Sequence, residues 1–260
     1  MVDQVAGETS PGAGTALGID VGGTTIKAGV VDTATGDLIG SRSTEPTPSP
    51  AAPDAVRALL TRAVQRFEWA GPVGCAFPGV VKGERLKEAY NLTPAWTGLD
   101  LRALVDQVRP GAAIVNDADA AGRAEARLGA ASGIGGTVIV LTFGTGIGSA
   151  FIHDGRLIPD TEFGDLRTAG FVNTFEEVAA ARMVHDEDLE PGNWAVRARP
   201  FLENIVKVFN PEMVVIGGGL VDRFDEYFGP LDLGTRVAPA HFSIDAGIVG
   251  AALSTAPDDC

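Results

Sequence analysis

Two glycine-rich turns carry the clearest chemical signal in this sequence of 260 residues. One lies in DVGGTTIK at residues 20–27 and the other in TFGTGIG at residues 142–148. Glycine has no Cβ, so successive backbone N–H groups can point at one anion, and the threonines add hydroxyl donors. A single turn of this kind is equally compatible with a tight hairpin, but two turns of the same composition indicate a phosphate site. The candidate phosphate contacts are Asp20, Gly22, Gly23, Thr24, Lys27, Thr142, Gly144, Thr145 and Gly146.

Common phosphate and dinucleotide fingerprints do not describe these turns. Neither turn contains the GKT or GKS of a Walker motif, and neither opens a helix within a βαβ unit. Asp20 ends the first predicted strand beside the first turn, where its carboxylate can hold Mg²⁺ directly or through water. The alternative is a structural turn residue. Lys27, one hairpin step later, either pairs with phosphate or lies on a solvated surface.

The dipeptide Asn116-Asp117 stands where a short apolar run, AAIV, meets the start of a predicted helix. Functional residues collect at this position in open α/β sheets. The Asp117 carboxylate can accept a hydroxyl proton during phosphoryl transfer, while Asn116 holds a neighbouring hydroxyl. Taken alone, Asp117 is better explained as a helix cap. The two glycine turns make the catalytic interpretation the stronger one.

Several other residues are weaker candidates for ligand contacts. Gly79, and Asn91 with Trp96, can line a polyol pocket, although a packed loop explains them equally well. Glu162 can accept hydrogen bonds from sugar hydroxyls. The glycine triplet after the apolar run MVVI lets the backbone approach a flat ligand or a phosphate, or else forms a strand-to-helix turn. The candidate nucleotide contacts are Gly217, Gly218 and Gly219.

Composition limits the classes of partner. The chain has 20 Lys+Arg against 34 Asp+Glu, a formal net charge of -14, so its averaged field repels nucleic acid and anionic lipid. A phosphate ligand therefore needs a local site. The two cysteines, Cys75 and Cys260, give neither a disulfide framework nor a zinc site, which favours a reducing cytoplasm. No apolar stretch reaches the roughly 20 residues of a membrane span, and the first residues lack the order of a secretory signal.

The order of apolar runs, turns and helical spacings predicts alternating strands and helices, and therefore an α/β fold. Residues 137–158 repeat the arrangement of residues 16–39 at an offset of 122, with Thr142 opposite Asp20. Internal similarity at this period predicts two duplicated α/β domains with a ligand cleft between them. We expect a loose tail at 1–15, an N-terminal domain at 16–116 and a C-terminal domain at 117–260, with a last helix at 246–253 that packs back on the first domain.

The individual elements are predicted from apolar periodicity and from Gly, Pro and capping signals. Asp54 is expected to cap the first helix, and residues 81–99 to form a loop. Strands are predicted at 17–20, 26–31, 38–40, 73–77, 112–116 and 213–216, with a three-stranded meander at 137–158. Helices are predicted at 55–69, 100–108, 118–128, 174–183, 194–209 and 246–253.

The motifs together resemble those of the ROK family of bacterial sugar kinases and repressors, within the sugar kinase, Hsp70 and actin superfamily. GIDVGGTTIKAGVVD is similar to the first phosphate motif of that superfamily, LTFGTGIGSAF to the second and VVIGGGL to the adenosine motif. FPGVV, VNDADAAGRAEARLGA and AGIVGAAL extend the likeness from about Leu17 to Leu253, and it is greatest to the polyphosphate glucokinases of the family. The resemblance implies two ribonuclease H-like domains of the actin and hexokinase type, without the cysteine-rich zinc motif of many ROK proteins.

The resemblance also implies a reaction and the groups that perform it. A phosphoryl group would pass from inorganic polyphosphate or ATP, with Mg²⁺, to the 6-hydroxyl of glucose or a related hexose. Asp117 would act as the general base, and Asn116, Glu162 and Asp165 would lie at the sugar. The two turns would surround the transferred phosphoryl group. Members of the family usually form homodimers.

The sequence departs from the family pattern in the loop after the second turn. Where members read ELGHLE, this chain reads EFGDLR, so Asp165 replaces a histidine and Arg167 replaces a glutamate. The run NLTPAW around Asn91 also lacks the usual lysine. These changes leave two alternatives open: a kinase for a different sugar or polyol, and a sugar-binding sensor that has lost catalysis.

Overall fold

The computed structural model describes residues 14–89, 92–170 and 172–256. The chain divides into two compact units, the first comprising residues up to Ala120 together with those from Gly247 onward, and the second comprising Ala121–Ala246. Most of the tail predicted at 1–15 lies outside the described residues, and the predicted domain limits stay predictions. In the described ranges no helix is long and apolar enough to cross a lipid bilayer.

The first unit contains a five-stranded sheet and a short separate hairpin. Its strands are β1 (Thr15–Val21), β2 (Thr25–Asp32), β3 (Leu38–Pro46), β4 (Val73–Phe77), β5 (Val80–Lys82), β6 (Arg85–Glu88) and β7 (Ala113–Asn116). Its helices are α1 (Pro53–Arg66), α2 (Leu101–Val105), the first turn of α3 (Asp117–Arg127) and nearly all of α8 (Ala246–Leu253). The sheet has the order β3-β2-β1-β4-β7. Its first three strands form an antiparallel meander, and β4 and β7 continue the sheet in parallel with β1.

The second unit contains a sheet of the same design. Its strands are β8 (Thr137–Phe143), β9 (Ile147–His153), β10 (Arg156–Ile158), β11 (Met213–Gly218) and β12 (Arg236–Pro239). Its helices after α3 are α4 (Phe175–Ala179), α5 (Ala181–Asp186), α6 (Pro191–Phe209) and α7 (Phe224–Tyr227). The order β10-β9-β8-β11-β12 again joins an antiparallel meander to parallel strands. The predicted duplication is therefore confirmed at the level of sheet topology.

Helix α8 packs on the first sheet without side chains between the two backbones. A Cβ on Gly18 of β1 would lie 1.9 Å from the carbonyl oxygen of Ile248, and one on Gly74 of β4 would lie 1.8 Å from that of Ala251. Real Cβ atoms essentially never approach an atom within 3.0 Å. Glycine at both positions is therefore required by close packing, and neither residue belongs to a turn.

An aromatic cluster fills the core of the second unit beside the end of β8. Phe143, the last residue of that strand, meets Phe175, Trp194 and Phe228 edge to face at centroid distances of 5.9, 5.6 and 5.5 Å. Edge-to-face pairs of buried rings contribute about 0.5–1.5 kcal/mol beyond their buried area. The glycine turn that follows Phe143 is therefore attached to a rigid strand end.

A buried carboxylate holds the chain segment that leads into α8. Glu125 on α3 has no exposed surface and accepts hydrogen bonds from the backbone N–H groups of Ala130, His241 and Phe242 at 2.8, 3.0 and 2.9 Å. Three such donors compensate for the loss of water around a buried acceptor. Glu125 thus fixes two loops of the second unit to the same helix.

Two details of the first unit differ from the sequence prediction. The expected cap Asp54 lies inside α1, which begins at Pro53 with Ala52 as the N-cap and no side-chain cap. Proline at the first helical position needs no N–H partner, and this starts the helix earlier. The expected loop at 81–99 contains the β5–β6 hairpin, in which only Leu86 is buried. Strands this short and charged give no periodic signal.

The second unit also differs in two places. The helix expected at 174–183 is two helices, because Ala180 has an extended backbone with φ -57° and ψ 153°. The connection after β11 contains the additional strand β12, which pairs in parallel with it. Because β12 lies at the edge of the sheet, its Pro239 costs no ladder hydrogen bond. A proline and a charged residue in a strand of four leave no pattern from which the strand could be predicted.

We expect Gly74→Ala to destabilise the first unit strongly. The added methyl group meets the backbone of α8, which cannot move aside as a flexible side chain would, so the cost should be about 3 kcal/mol or more. Chemical denaturation followed by circular dichroism measures the change. Gly192→Ala in α6 is the matched control, since a Cβ there meets no atom within 4 Å, and it should be neutral or slightly stabilising. An unchanged midpoint for Gly74→Ala would contradict the packing argument.

Candidate functional site

The predicted site residues of the first unit lie at one edge of its sheet. β1, β4 and β7 are parallel, with Asp20 in register with Ala76, and Phe77 in register with Asn116. The carboxyl ends of parallel neighbours meet at the same edge, which is where open α/β sheets bind ligands. The residues at or just beyond this edge are Asp20, Gly79, Asn116 and Asp117.

Asn116 connects the end of β7 to its surroundings. Its Oδ1 accepts a hydrogen bond from the backbone N–H of Asp119 at 2.8 Å, which caps α3, and its Nδ2 donates to the Gly79 carbonyl at 2.8 Å. Gly79 has a φ of +95°, a conformation that favours glycine. The capping role that Asp117 would have in isolation therefore belongs to Asn116. An amide has a second acceptor site and a second N–H, so Asn116 can still bind a hydroxyl.

The environment at this edge of the sheet shifts the pKa of Asp117. Burial raises its pKa to about 7, and the negative charges of Asp20 and Asp119 act in the same direction, against a hydrogen bond from the Ala118 N–H. A carboxyl with a pKa near neutrality is a stronger base than an ordinary aspartate and is still partly ionised at pH 7. The environment suits Asp117 to proton transfer.

Asp20 is held from two sides. Its Oδ2 lies 3.2 Å from the Lys27 Nζ, and a Cβ on Gly247 of α8 would lie 2.6 Å from its Cγ. Only 9% of Asp20 is exposed. Lys27 is therefore the ion-pair partner of a nearly buried carboxylate, and the alternative of a solvated lysine is wrong.

The first glycine turn closes as a hairpin. The Gly22 N–H donates to the Thr25 carbonyl at 3.0 Å, and the Gly22 carbonyl accepts from the Thr47 hydroxyl at 2.6 Å. The expectation that the Gly22 N–H points at an anion is therefore wrong, because that donor is used inside the turn. Gly23 and Thr24 are exposed at the tip.

The second turn also closes on itself, with the Gly144 N–H donating to the Gly146 carbonyl at 2.9 Å, so the expectation that this N–H points at an anion is wrong as well. Gly144 and Thr145 are exposed at its tip. A Cβ on Gly144 would meet no described atom within 4 Å, and its φ lies outside the left-handed range. Neither packing nor conformation thus requires glycine at 144, and the backbone there is open to a ligand. Gly146 differs, because its Cβ would lie 2.2 Å from the Glu176 carboxylate.

The glycine triplet lies directly beside the second turn. Gly217 is in register with Thr142 and Gly218 with Phe143, and the Gly219 N–H donates to the Phe143 carbonyl at 2.6 Å. Gly218 has a φ of +81°, and its Cβ would lie 2.2 Å from the same carbonyl. Close packing against β8 therefore explains why residue 218 is a glycine. The second glycine turn and the predicted nucleotide contacts are therefore neighbours in one sheet.

The loop that carries Glu162 is attached to β9, the strand that follows the second turn. The Phe163 N–H donates to the Ser149 hydroxyl at 2.9 Å, and a Cβ on Gly164 would lie 2.4 Å from the Ile147 carbonyl. Glu162, which is half-buried, is therefore placed near the second turn within the same unit.

The departures from the family pattern lie at the exposed end of this loop. Asp165 ends a short 3-10 turn and is exposed. Arg167 is also exposed, and its guanidinium donates to the Val172 carbonyl. Asn91, the remaining predicted sugar contact, lies outside the described residues.

Two charged residues that no sequence motif marked support the second turn. The Glu176 carboxylate accepts from the Ile147 N–H at 3.0 Å. The Arg182 backbone N–H donates to the Gly144 carbonyl at 3.2 Å, and its guanidinium donates to the Thr145 carbonyl. The capping box of Thr174 indicates the helix that carries Glu176, but nothing in the sequence places either residue at the turn.

Asp20 is the predicted metal ligand of this chain. No three His, Cys, Asp or Glu side chains form a metal-ion cluster within residues 14–89, 92–170 and 172–256. Mg²⁺ usually takes one or two carboxylates, retained waters and substrate phosphates. A single carboxylate at the edge that carries Asp117 therefore fits Mg²⁺ brought in with a phosphate donor.

Residues 16–164 match the model of the ROK family. The chain belongs to the ROK family. It is 43% identical to the polyphosphate glucokinase of Mycobacterium tuberculosis strain H37Rv, over 96% of this chain and 97% of that relative. The predicted family is therefore confirmed, and the similarity extends over most of the chain.

Solved ROK structures have the same fold as this ROK chain. The inorganic polyphosphate/ATP-glucomannokinase from Arthrobacter sp. strain KM is 39% identical, with a TM-score of 0.89 over 93% of this chain and 98% of that one. A ROK family glucokinase from Streptomyces griseus, in complex with glucose and AMPPNP, is 24% identical, with a TM-score of 0.74 over 92% and 98%. The predicted α/β fold of duplicated domains is confirmed.

We expect Asp117→Asn to stabilise this ROK protein at alkaline pH. The folded pKa lies above the unfolded value of about 3.9, so the folded state binds the proton more tightly. That stabilisation is complete below about pH 4 and is lost as pH rises through about 7. The variant, which never ionises, should therefore melt a few degrees above wild type at pH 8 and nearly with it at pH 4.5.

Thermal unfolding at the two pH values measures this difference. Asp222→Asn, at an exposed position, is the control for loss of one negative charge from an acidic protein. If both variants gained the same stability at pH 8, repulsion among the many negative charges of the protein would account for the effect. That result would contradict the prediction that ionised Asp117 itself destabilises the folded state.

Proposed function

We propose that this ROK protein is a sugar kinase that transfers a phosphoryl group from inorganic polyphosphate or ATP to the 6-hydroxyl of glucose or a related hexose. The observation that carries the proposal is Asp117, a carboxyl with a pKa of about 7 beside Asp20 at the ligand-binding edge of a parallel sheet. The Mycobacterium and Arthrobacter relatives, at 43% and 39% identity, support the same reaction.

In this proposal Asp117 is the general base. Its carboxylate takes the proton of the sugar hydroxyl as that oxygen forms a bond to the terminal phosphorus of the donor. The bond from that phosphorus to the bridging oxygen breaks, and the donor leaves as ADP or as polyphosphate shortened by one unit. Asn116 orients Asp117 by capping α3 and offers its remaining amide groups to a neighbouring hydroxyl.

We assign the donor phosphates to the exposed tips of the two glycine turns. Thr24 and Thr145 supply hydroxyl donors there, and the open backbone at Gly144 allows close approach. Fixed donors stabilise the charge of a transferring phosphoryl group without reorganisation. The triplet Gly217–Gly219, next to the second turn, is assigned to the nucleotide when ATP is the donor.

The sugar contacts in this proposal are Asn116, Glu162, Asp165 and the turn at Gly79. Glu162 is the acceptor for sugar hydroxyls, because a carboxylate binds two hydroxyls at once. Asp165 stands where relatives have histidine, and its exposure is compatible with a changed acceptor preference. A different sugar or polyol as the acceptor therefore stays the second candidate.

Location and assembly follow the same proposal. Cys75 is a free, buried cysteine whose pKa is raised to about 12 by burial, which fits a reducing compartment such as the cytoplasm. We propose a homodimer on the family resemblance, with the sugar and the phosphoryl donor as its small-molecule partners.

We expect purified protein to phosphorylate glucose with long-chain polyphosphate, with ATP, or with both, and Asp117→Asn to reduce kcat at least a thousandfold. The loss should be in kcat more than in glucose affinity, because the base acts in the transition state. Wild-type kcat/KM should rise with pH through about 7 as Asp117 ionises.

A panel of hexoses, sugar acids, amino sugars and polyols, assayed with each donor, tests this proposal. Asp222→Asn is the control and should keep full activity. Turnover of a non-glucose acceptor alone would favour the second candidate. Ligand-induced thermal shifts without any product would favour a sensor and contradict the kinase.

We expect activity to depend steeply on Mg²⁺. When bound, Mg²⁺ neutralises phosphate charge, which a protein of net charge -14 cannot do through its overall field. Titration of Mg²⁺ at fixed ionic strength, with and without EDTA, measures the dependence. Asp20→Asn should raise the Mg²⁺ concentration needed for half-maximal rate several-fold, and activity indifferent to chelation would contradict this part of the proposal.

A further inference from the structure

We propose that Arg182 binds the phosphates of the donor that are not transferred, and that Glu176 orients it for this task. The ligand class is an inorganic or nucleoside polyphosphate. This inference rests on the proposed kinase function and adds a donor-binding cation at the second glycine turn.

Arg182 is attached to the second turn at two points. Its backbone N–H donates to the Gly144 carbonyl at 3.2 Å, and its guanidinium donates through Nη1 to the Thr145 carbonyl. These are the two residues exposed at the tip of that turn. A phosphate that accepts hydrogen bonds at the tip therefore lies beside a guanidinium.

The Arg182 guanidinium has N–H groups that can still donate to a phosphate. Its contacts in the described chain, to Thr145 and to Glu176, are both made through Nη1, and 32% of the side chain is exposed. A guanidinium has five N–H donors in a planar fork that matches phosphate oxygens. The Nη2 and Nε groups thus make none of these contacts, and the partly exposed side chain can offer them to a phosphate.

Glu176 sets the direction of this fork. Its Oε2 accepts from the Ile147 N–H at 3.0 Å, while its Oε1 lies 3.7 Å from the Arg182 Nη1. At 3.7 Å the pair attracts without a direct hydrogen bond, so Glu176 holds the guanidinium near the turn without occupying its donors. Glu176 is therefore a positioning residue.

The residue that precedes Arg182 lies beside the glycine triplet. A Cβ on Gly219 would lie 3.8 Å from the Cβ of Ala181, the residue that precedes Arg182. The start of α5, which carries Arg182, is thus close to both the second turn and the predicted nucleotide contacts. Phosphates that extend from the turn, whether in ATP or in a longer chain, meet the same cation.

Because the whole chain is negatively charged, binding of a polyanionic donor needs a local cation. At a net charge of -14 the averaged field repels a polyanion, and each added phosphate adds to the repulsion. A local guanidinium at the turn offsets this where the donor binds. The contribution of Arg182 should therefore be larger for long-chain polyphosphate than for ATP.

The experiment compares Arg182→Gln with wild type under steady-state conditions at fixed Mg²⁺. We expect KM for long-chain polyphosphate to rise tenfold or more, which is the effect of losing a charged hydrogen-bonding partner. KM for ATP should rise by a smaller factor, and KM for glucose should stay within twofold. Arg182→Lys should recover part of the loss, and Glu176→Gln should show a weaker form of the same donor-specific effect.

Arg197→Gln is the matched control. Arg197 forms a 2.7 Å ion pair with Glu187 in the same unit, and 35% of its side chain is exposed, so its removal deletes an equivalent charge and should leave both KM values unchanged. Folded Arg182→Gln with unchanged donor KM would overturn the proposal. Equal losses toward donor and sugar, with a lowered Tm, would also overturn it, since they indicate only structural support of the turn.

Direct binding of inorganic tripolyphosphate, measured by calorimetry in the absence of sugar, separates this inference from the kinase proposal. If wild type lacks kinase activity but binds tripolyphosphate, and Arg182→Gln does not, the site is supported while the proposed reaction fails. If wild type is an active kinase and both proteins bind tripolyphosphate equally, the site is disproved and the reaction stands.

Discussion

Direct contact between the backbone of α8 and the backbone of the first sheet is the constraint on which the first unit's site depends. Gly18 and Gly74 bring the helix against β1 and β4, and Gly250 brings it against Ala120 at the start of α3. The same helix thus touches the strand that ends near Asp20 and the helix that begins at Asp117. At its first turn, Gly247 leaves room only for the carboxyl group of Asp20. No side-chain layer separates these elements, so their spacing is not adjustable.

This close packing has an electrostatic consequence. Asp117 loses solvent and lies in the field of Asp20, and both effects raise its pKa. A carboxyl in that state costs stability at neutral pH, which the surrounding fold must offset. Lys27, paired with Asp20 at 3.2 Å, limits the accumulated negative charge. The raised pKa of Asp117 therefore has two physical causes, first the loss of water around its carboxyl group and then the nearby charge of Asp20.

Much of this could be predicted from the sequence, because the signals are local. The repeat with Thr142 opposite Asp20 predicts the two sheets of the same design. The position of Asn116-Asp117 after an apolar run predicts that both residues lie at the edge of the first sheet. The functions of individual glycines could not be read in the same way. Of the 34 glycines, Gly22 and Gly218 are explained by contacts within the chain and Gly144 is left open to a ligand. Sequence alone cannot separate these cases, since each depends on what lies opposite the missing Cβ.

Long-range contacts set the other limit of prediction. Glu176 and Arg182 reach the second turn across about 30 and 37 residues of chain, and no spacing rule connects them to it. Glu125 reaches His241 across 116 residues. The sequence does not predict β12 for a related reason: an edge strand of four residues is stabilised by pairing with β11 and has no apolar periodicity of its own. Site residues on strand ends were predictable, whereas the groups that hold them were not.

The position of α8 in the chain has a consequence for synthesis of the protein. The strands of the first unit leave the ribosome before the second unit does, yet they lack the helix that covers Gly18 and Gly74 until residues 246–253 have been translated. The second unit is continuous in the chain. The unit whose translation starts first is thus completed last, and until then the sheet face at Gly18 and Gly74 lacks its covering helix. Premature termination anywhere before α8 would leave Asp20 and Asp117 without their common support.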